Sequence, residues 1–300
     1  MTKETNNDYA SLVVSRGDYE DTPEISHLSI PEGIEEICED AFRDFGCLVE
    51  LTLPRSLRRI SAAAFAGCKS LTRVTFSHGL DVIGDEAFSS CSALRGVSLP
   101  DTVSRIGEGA FEGCASLTSL KLSESLYMIG AGAFSFCFNL TDVIIPDSCV
   151  LVEFGAFSSC FSLEGVKLSD SMALIDTSTF EGCRSLRIVD MPRALRKVGR
   201  AAFRGCTSLS SLILPVTTEH IGLDAFSGCT SLRRVAIPRG MRELEDMEVF
   251  GACDSLAEIS YGGSEDEWNN LTRGATLTVP GSDLVARTPK IICLDLKNEI

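Results

Sequence analysis

Phenylalanine returns every 23 residues along the chain. Phe42, Phe65, Phe88, Phe111, Phe134, Phe157, Phe180, Phe203 and Phe226 keep that interval, and Phe250 follows after 24. A period of this length held over ten copies identifies a repeat architecture, in which each unit is too small to bury its own apolar face and must stack on its neighbours. Three residues after nine of these rings stands a cysteine: Cys68, Cys91, Cys114, Cys137, Cys160, Cys183, Cys206, Cys229 and Cys253. Six residues after every ring stands a leucine, from Leu48 to Leu256.

Each leucine opens a leucine-x-x-apolar-x-apolar segment, such as Leu94, Val97, Leu99 or Leu140, Val143, Ile145. The last two apolar positions are two apart, the period of a strand with one buried face. The next stretch, typified by Ile83, Ala87, Phe88 and Cys91, predicts one short helical or 3₁₀ turn, with glycines such as Gly67 and Gly113 at its exit. Ten such coils at the ~4.8 Å strand spacing give a curved parallel sheet roughly 50 Å long. Residues Pro31, Pro54, Ser77, Pro100, Ser123, Pro146 and Ser169 close the strands, proline and serine alternating through the middle. That second period has no functional reading.

The chain has 300 residues, 44% of them hydrophobic, so it can bury a core. Its 27 Lys and Arg against 42 Asp and Glu give a net charge of −15. That balance argues against a nucleic-acid partner and against adhesion to anionic lipid. No apolar run approaches the ~18 residues of a membrane-spanning helix, so membrane insertion is not expected. The start, MTKETNNDYASLVV, lacks the pattern of a secretory signal. As written, the chain is expected in the cytoplasm; with a leader removed, it would belong at the cell surface or outside the cell.

Units such as Ile106-Gly107-Glu108-Gly109-Ala110-Phe111-Glu112-Gly113-Cys114, followed by Leu117, Leu120 and Leu122, resemble the BspA-like leucine-rich repeats. The resemblance implies an α/β repeat solenoid: a right-handed leucine-rich-repeat superhelix with a parallel concave sheet and short strands or 3₁₀/helical turns on the convex side. It also implies protein binding and no catalytic activity of the repeat itself. Residues 259–268 with Ile291, Ile292 and Cys293 look like the closing segment of such proteins. The expected organisation is a tail or cap over 1–24, a solenoid over 25–260 and a capping segment over 261–300. Ser11 to Val14 could supply one amino-terminal strand.

Candidate sites follow from what the columns leave free. The cysteine column reads as metal or redox chemistry, or as small buried thiols packed beside phenylalanine in a reducing compartment; without any Cys-x-x-Cys the second is favoured. His27, His78 and His220 keep no register with each other or with a nucleophile. Acidic residues Glu243, Glu245, Asp246 and Glu248, and Glu265, Asp266 and Glu267, lack calcium-loop spacing and read as solvated surface. No catalytic, metal or cofactor residue is assigned.

On each strand the residues flanking the middle buried position point outward. Those columns contain Arg73, Thr75, Ser98, Ser119, Lys121, Asp142, Ile144, Lys167, Ile188, Asp190, Ile213 and Arg234. They are the candidate protein-binding residues of the concave face, the alternative being solvated sheet with no partner. Phe138 and Phe161 fall in adjacent coils at a usually polar position, and with Phe136 and Phe154 they form a candidate apolar patch or pack on one another or on the amino-terminal segment. The expectation is a non-enzymatic module binding a protein ligand. Its alternatives are a bacterial cell-surface adhesin binding host matrix proteins, or an enzyme sited in 261–300.

Overall fold

The structure, a computed structural model, describes residues 13–15, 18–19, 24–245, 247–273, 279–280 and 286–294. Each coil contributes two parallel strands. A three-residue strand, such as Glu50–Thr52, pairs with the strand one coil before and one after, so Leu51 lies opposite both Leu28 and Val74. A two-residue strand, such as Ile60 with Arg59, pairs likewise with Glu36–Ile37 and Val82–Ile83. The two ladders are termed the long-strand and short-strand faces. Alternation shapes the long-strand face: the middle residue of most long strands is buried while its neighbours are exposed or half-buried.

Between the faces, the main chain ascends through turns that are themselves bonded from coil to coil. The amide of Phe42 donates to Ala64 O at 2.7 Å and that of Phe65 to Ala87 O at 2.8 Å. Here the expectation of a short helix is corrected: residues 85–90 form consecutive turns, and Ile83 ends a short strand. The cause is two left-handed residues in most coils, two before and two after the phenylalanine, as in Glu86 (φ 54°) and Ser90 (φ 59°). A helix cannot pass through either. The glycines before the cysteines, including Gly67 at φ 74°, occupy the second of these positions.

The interior is a set of continuous rows. Consecutive rings from Phe42 to Phe250 stack with centroids 5.0–5.8 Å apart and planes within 3–16° of parallel. Every column thiol donates to the carbonyl oxygen of the phenylalanine one coil back, from Cys68 to Phe42 O at 3.2 Å through Cys253 to Phe226 O at 3.2 Å. Most of those carbonyls also accept the amide three residues on, as Phe65 O does from Cys68 N at 3.3 Å, so the small thiol fills the second acceptor site of a carbonyl in the dry core. All thirteen cysteines are free. At the proline and serine column, the amides of Ser77, Ser123 and Ser169 donate to no main-chain carbonyl among the described residues, so proline there sacrifices no such bond.

Both ends extend the stack. Val13–Val14 pairs in parallel with Glu36–Ile37, and Tyr19, 23 residues before Phe42, lies with its ring 5.0 Å from it. Ile25, Leu28 and Ile30 follow Tyr19 at the spacing Leu48, Leu51 and Leu53 keep from Phe42. The 24-residue coil takes its extra residue in a 3₁₀ turn, Met247–Phe250. At the far end helix α1, Glu265–Leu271, starts with a capping box between Ser264 and Glu267 and buries Trp268 against Tyr261. The strand Lys290–Cys293 pairs with Glu258–Tyr261 and covers the last coil. Among the described residues no helix is long and apolar enough to cross a membrane.

Long-strand pairing is interrupted at three places: after Arg73–Thr75, after Ser119–Lys121 and after Ile188–Asp190. At the first and third, the inward residue that closes the strand is longer than the usual leucine or isoleucine. These residues, Phe76 and Met191, are only partly buried.

Candidate functional site

All twelve of the outward residues named from the sequence are exposed on the long-strand face. Ile144, Ile188 and Ile213 are 66%, 65% and 74% exposed, so these isoleucines pack into no core. Lys167 lies opposite Ile144 on one side and Asp190 on the other, placing both charge signs beside apolar side chains. Arg73 is tied to Glu50 at 3.7 Å, and Glu50 also faces His27 at 3.8 Å.

The face is not uniform. Where pairing stops between Ile188–Asp190 and Ser211–Ile213, a hollow of about 530 Å³ opens. Ile188, Asp190, Ser211 and Ile213 line it, with Met191 and Leu212 beneath. Strand main chain unbonded to its neighbour, two exposed isoleucines and one carboxylate therefore meet in a single depression. It combines apolar anchors with a few fixed polar groups, the composition of a recognition surface. Nothing in the sequence marks the hollow except Met191, where other coils carry leucine, isoleucine, phenylalanine or tyrosine.

The aromatic residues divide. Phe138 and Phe161 stack at 4.9 Å, Phe136 meets Phe138 edge-on at 6.1 Å, and the Arg184 guanidinium lies 4.6 Å from the Phe161 centroid. Phe154 is exposed and makes no ring contact among the described residues. Phe136 adopts φ 58°, at the position that other coils fill with glycine, serine, aspartate or alanine. The position sets its backbone and turns its ring partly to solvent.

The remaining sequence candidates acquire structural partners. Glu267 accepts from the Ser264 amide and pairs with Arg239 at 2.7 Å, and those contacts hold its carboxyl below the ordinary range. Glu245 accepts from Leu223 N, and Glu243 faces His220 at 3.3 Å. Asp246 lies outside the described residues. Ser26 Oγ is 3.0 Å from His27 Nδ1, but the histidine side chain is 68% exposed, without the enclosure that activates a nucleophile. Burial pushes the thiols of Cys114, Cys160 and Cys253 up to about 12, leaving them protonated and inert at neutral pH.

The sequence profile described as "BspA type Leucine rich repeat region (6 copies)" matches residues 14–141, 82–207 and 151–270. A leucine-rich repeat protein from Bacteroides ovatus is 23% identical, with a TM-score of 0.52, over 98% of this chain and 90% of its own. A leucine-rich cell surface protein from Faecalibacterium prausnitzii is 27% identical, with a TM-score of 0.46, over 84% of this chain and 83% of its own. The leucine-rich repeat protein of T. pallidum is 27% identical, with a TM-score of 0.45, over 70% and 78%. No curated protein matches the chain.

Proposed function

The chain belongs to the BspA-type leucine-rich repeat family, and on that premise we propose that it is a non-enzymatic module that binds another protein through its long-strand face. The observation that supports this most is the exposure of Ile188 and Ile213 beside the hollow between their strands. Each isoleucine side chain gains about 1.5–3 kcal/mol when a partner covers it. Lys167, Asp190 and Arg234 set orientation at the rim, where charge contributes more to register and encounter than to affinity. The interior rows are committed to stacking, so recognition falls to the outward columns.

The test replaces Ile188 and Ile213 by glutamate and captures partners from the source-cell lysate and, separately, from extracellular matrix. With folding intact by circular dichroism, every partner specific to the parent protein should be lost. Capture unchanged in both arms sinks the assignment of the face. Loss confined to the matrix arm identifies an adhesin.

A further inference from the structure

A second hollow, of about 680 Å³, adjoins the first and shares Arg187 and Ser211 with it. We propose that it holds an extended acidic segment of the partner protein, an inference that rests on the reading of the face above. Three successive coils build it. Arg187 supplies one wall, Ser208, Ser210 and Ser211 the floor, and Ser231, Arg233 and Arg234 the other wall. The middle coil carries only short hydroxyl side chains, which is why a trough exists between the arginines.

None of the three arginines has a carboxylate partner among the described residues, although the protein carries a net charge of −15 and Glu164 and Glu258 stand one coil beyond either wall. Arginine presents a planar fork that matches a carboxylate, and the serine hydroxyls add donors between the forks. Two coils at the paired-strand spacing span about 10 Å, and the unpaired step after Ile188–Asp190 widens this, so the walls lie about three or more residues of extended chain apart. Carboxylates spaced along one strand can therefore meet both walls. At physiological ionic strength the Debye length is about 8 Å, so acidic residues several coils away are screened from the trough.

A polypeptide fits better than a sulfated sugar, because the shared edge leads directly to Ile188 and Ile213, and only a peptide brings apolar side chains beside its charges. Nucleic acid is disfavoured because three arginines neutralise few phosphates and no aromatic ring lines the trough to stack a base.

The probes are fluorescein-labelled hexapeptides of alternating Glu and Leu or alternating Gln and Leu, read by fluorescence anisotropy in 0.15 M salt. The Glu peptide should bind roughly tenfold or more tightly than the Gln peptide. Changing Arg187, Arg233 and Arg234 to serine should bring the Glu peptide down to the Gln level. Removing the same charge elsewhere, with R55S, R59S and R105S, should leave the difference intact. A Glu peptide bound equally by the trough variant and the parent, or bound by neither, overturns the proposal. So does binding of a heparin-derived hexasaccharide, lost in the trough variant, without binding of the Glu peptide. Failure of the face itself looks different: I188S with I213S then weakens neither peptide while the arginine effect persists.

Discussion

Raising the pH should unfold this protein through its thiol column. Cys114, Cys160 and Cys253 are buried among stacked rings, and burial pushes their ionisation from 9.0 up to about 12. Between those values the unfolded chain releases the proton and the native chain keeps it, so stability falls as pH rises above 9 and is unaffected below it. At pH 10 each such thiol removes about 1.4 kcal/mol, and the three together about 4 kcal/mol. Cys137, Cys183, Cys206 and Cys229 are raised in the same direction by burial, with neighbouring thiols contributing, and Cys91 is raised by its bond to the Cys68 thiol and then by burial; all steepen the fall. A domain of ordinary stability has only about 5–15 kcal/mol to lose. The assay is urea unfolding by circular dichroism at pH 7.5, 9 and 10 in reductant. The double variant C114A with C160A should lose about 3 kcal/mol less than the parent between pH 7.5 and 10. Parallel curves for the two proteins would refute the reasoning.

Two further outcomes follow from burial. Phe134 is stacked on both sides, at 5.3 Å on Phe111 and 5.2 Å on Phe157, whereas among the described residues Phe250 is stacked on one, at 5.8 Å on Phe226. Phe134→Ala should cost about 4–5 kcal/mol in urea unfolding and Phe250→Ala distinctly less; equal losses would mean that the rings do not act as a row. In native protein at pH 8, a thiol reagent should modify exposed Cys47 first and Cys38 and Cys293 more slowly, with the column reacting only in denaturant.

The rows were legible in the sequence because burial repeats: a stacked ring, a buried thiol and a buried leucine leave a mark every 23 residues. The turn segment was not, because the Ile83, Ala87, Phe88 and Cys91 spacing suits either a helical turn or a strand end followed by two tight turns. Glycines in two columns, Gly109 and Gly132 in one and Gly113 and Gly182 in the other, carried the distinguishing signal, since left-handed residues cannot continue a helix. Tyr19 extends the ring column with tyrosine in place of phenylalanine, which hides it from a phenylalanine period although Ile25, Leu28 and Ile30 keep the register. The outward columns were readable from alternation alone. The hollow was not, since it depends on a gap in pairing after Ile188–Asp190 and on side-chain lengths in neighbouring coils. Arg187 and Arg233 stand one residue ahead of their strands, outside the alternation that defines the face.

The claim that recognition belongs to the long-strand face is tested most directly by placing a photo-crosslinking amino acid at one position at a time. From Ile188 or Ile213, irradiation in the source-cell lysate should give one discrete adduct. From Arg55 or Arg105, outside the long-strand face, it should give none. Adducts from Arg55 or Arg105 with none from Ile188 and Ile213 would contradict the account.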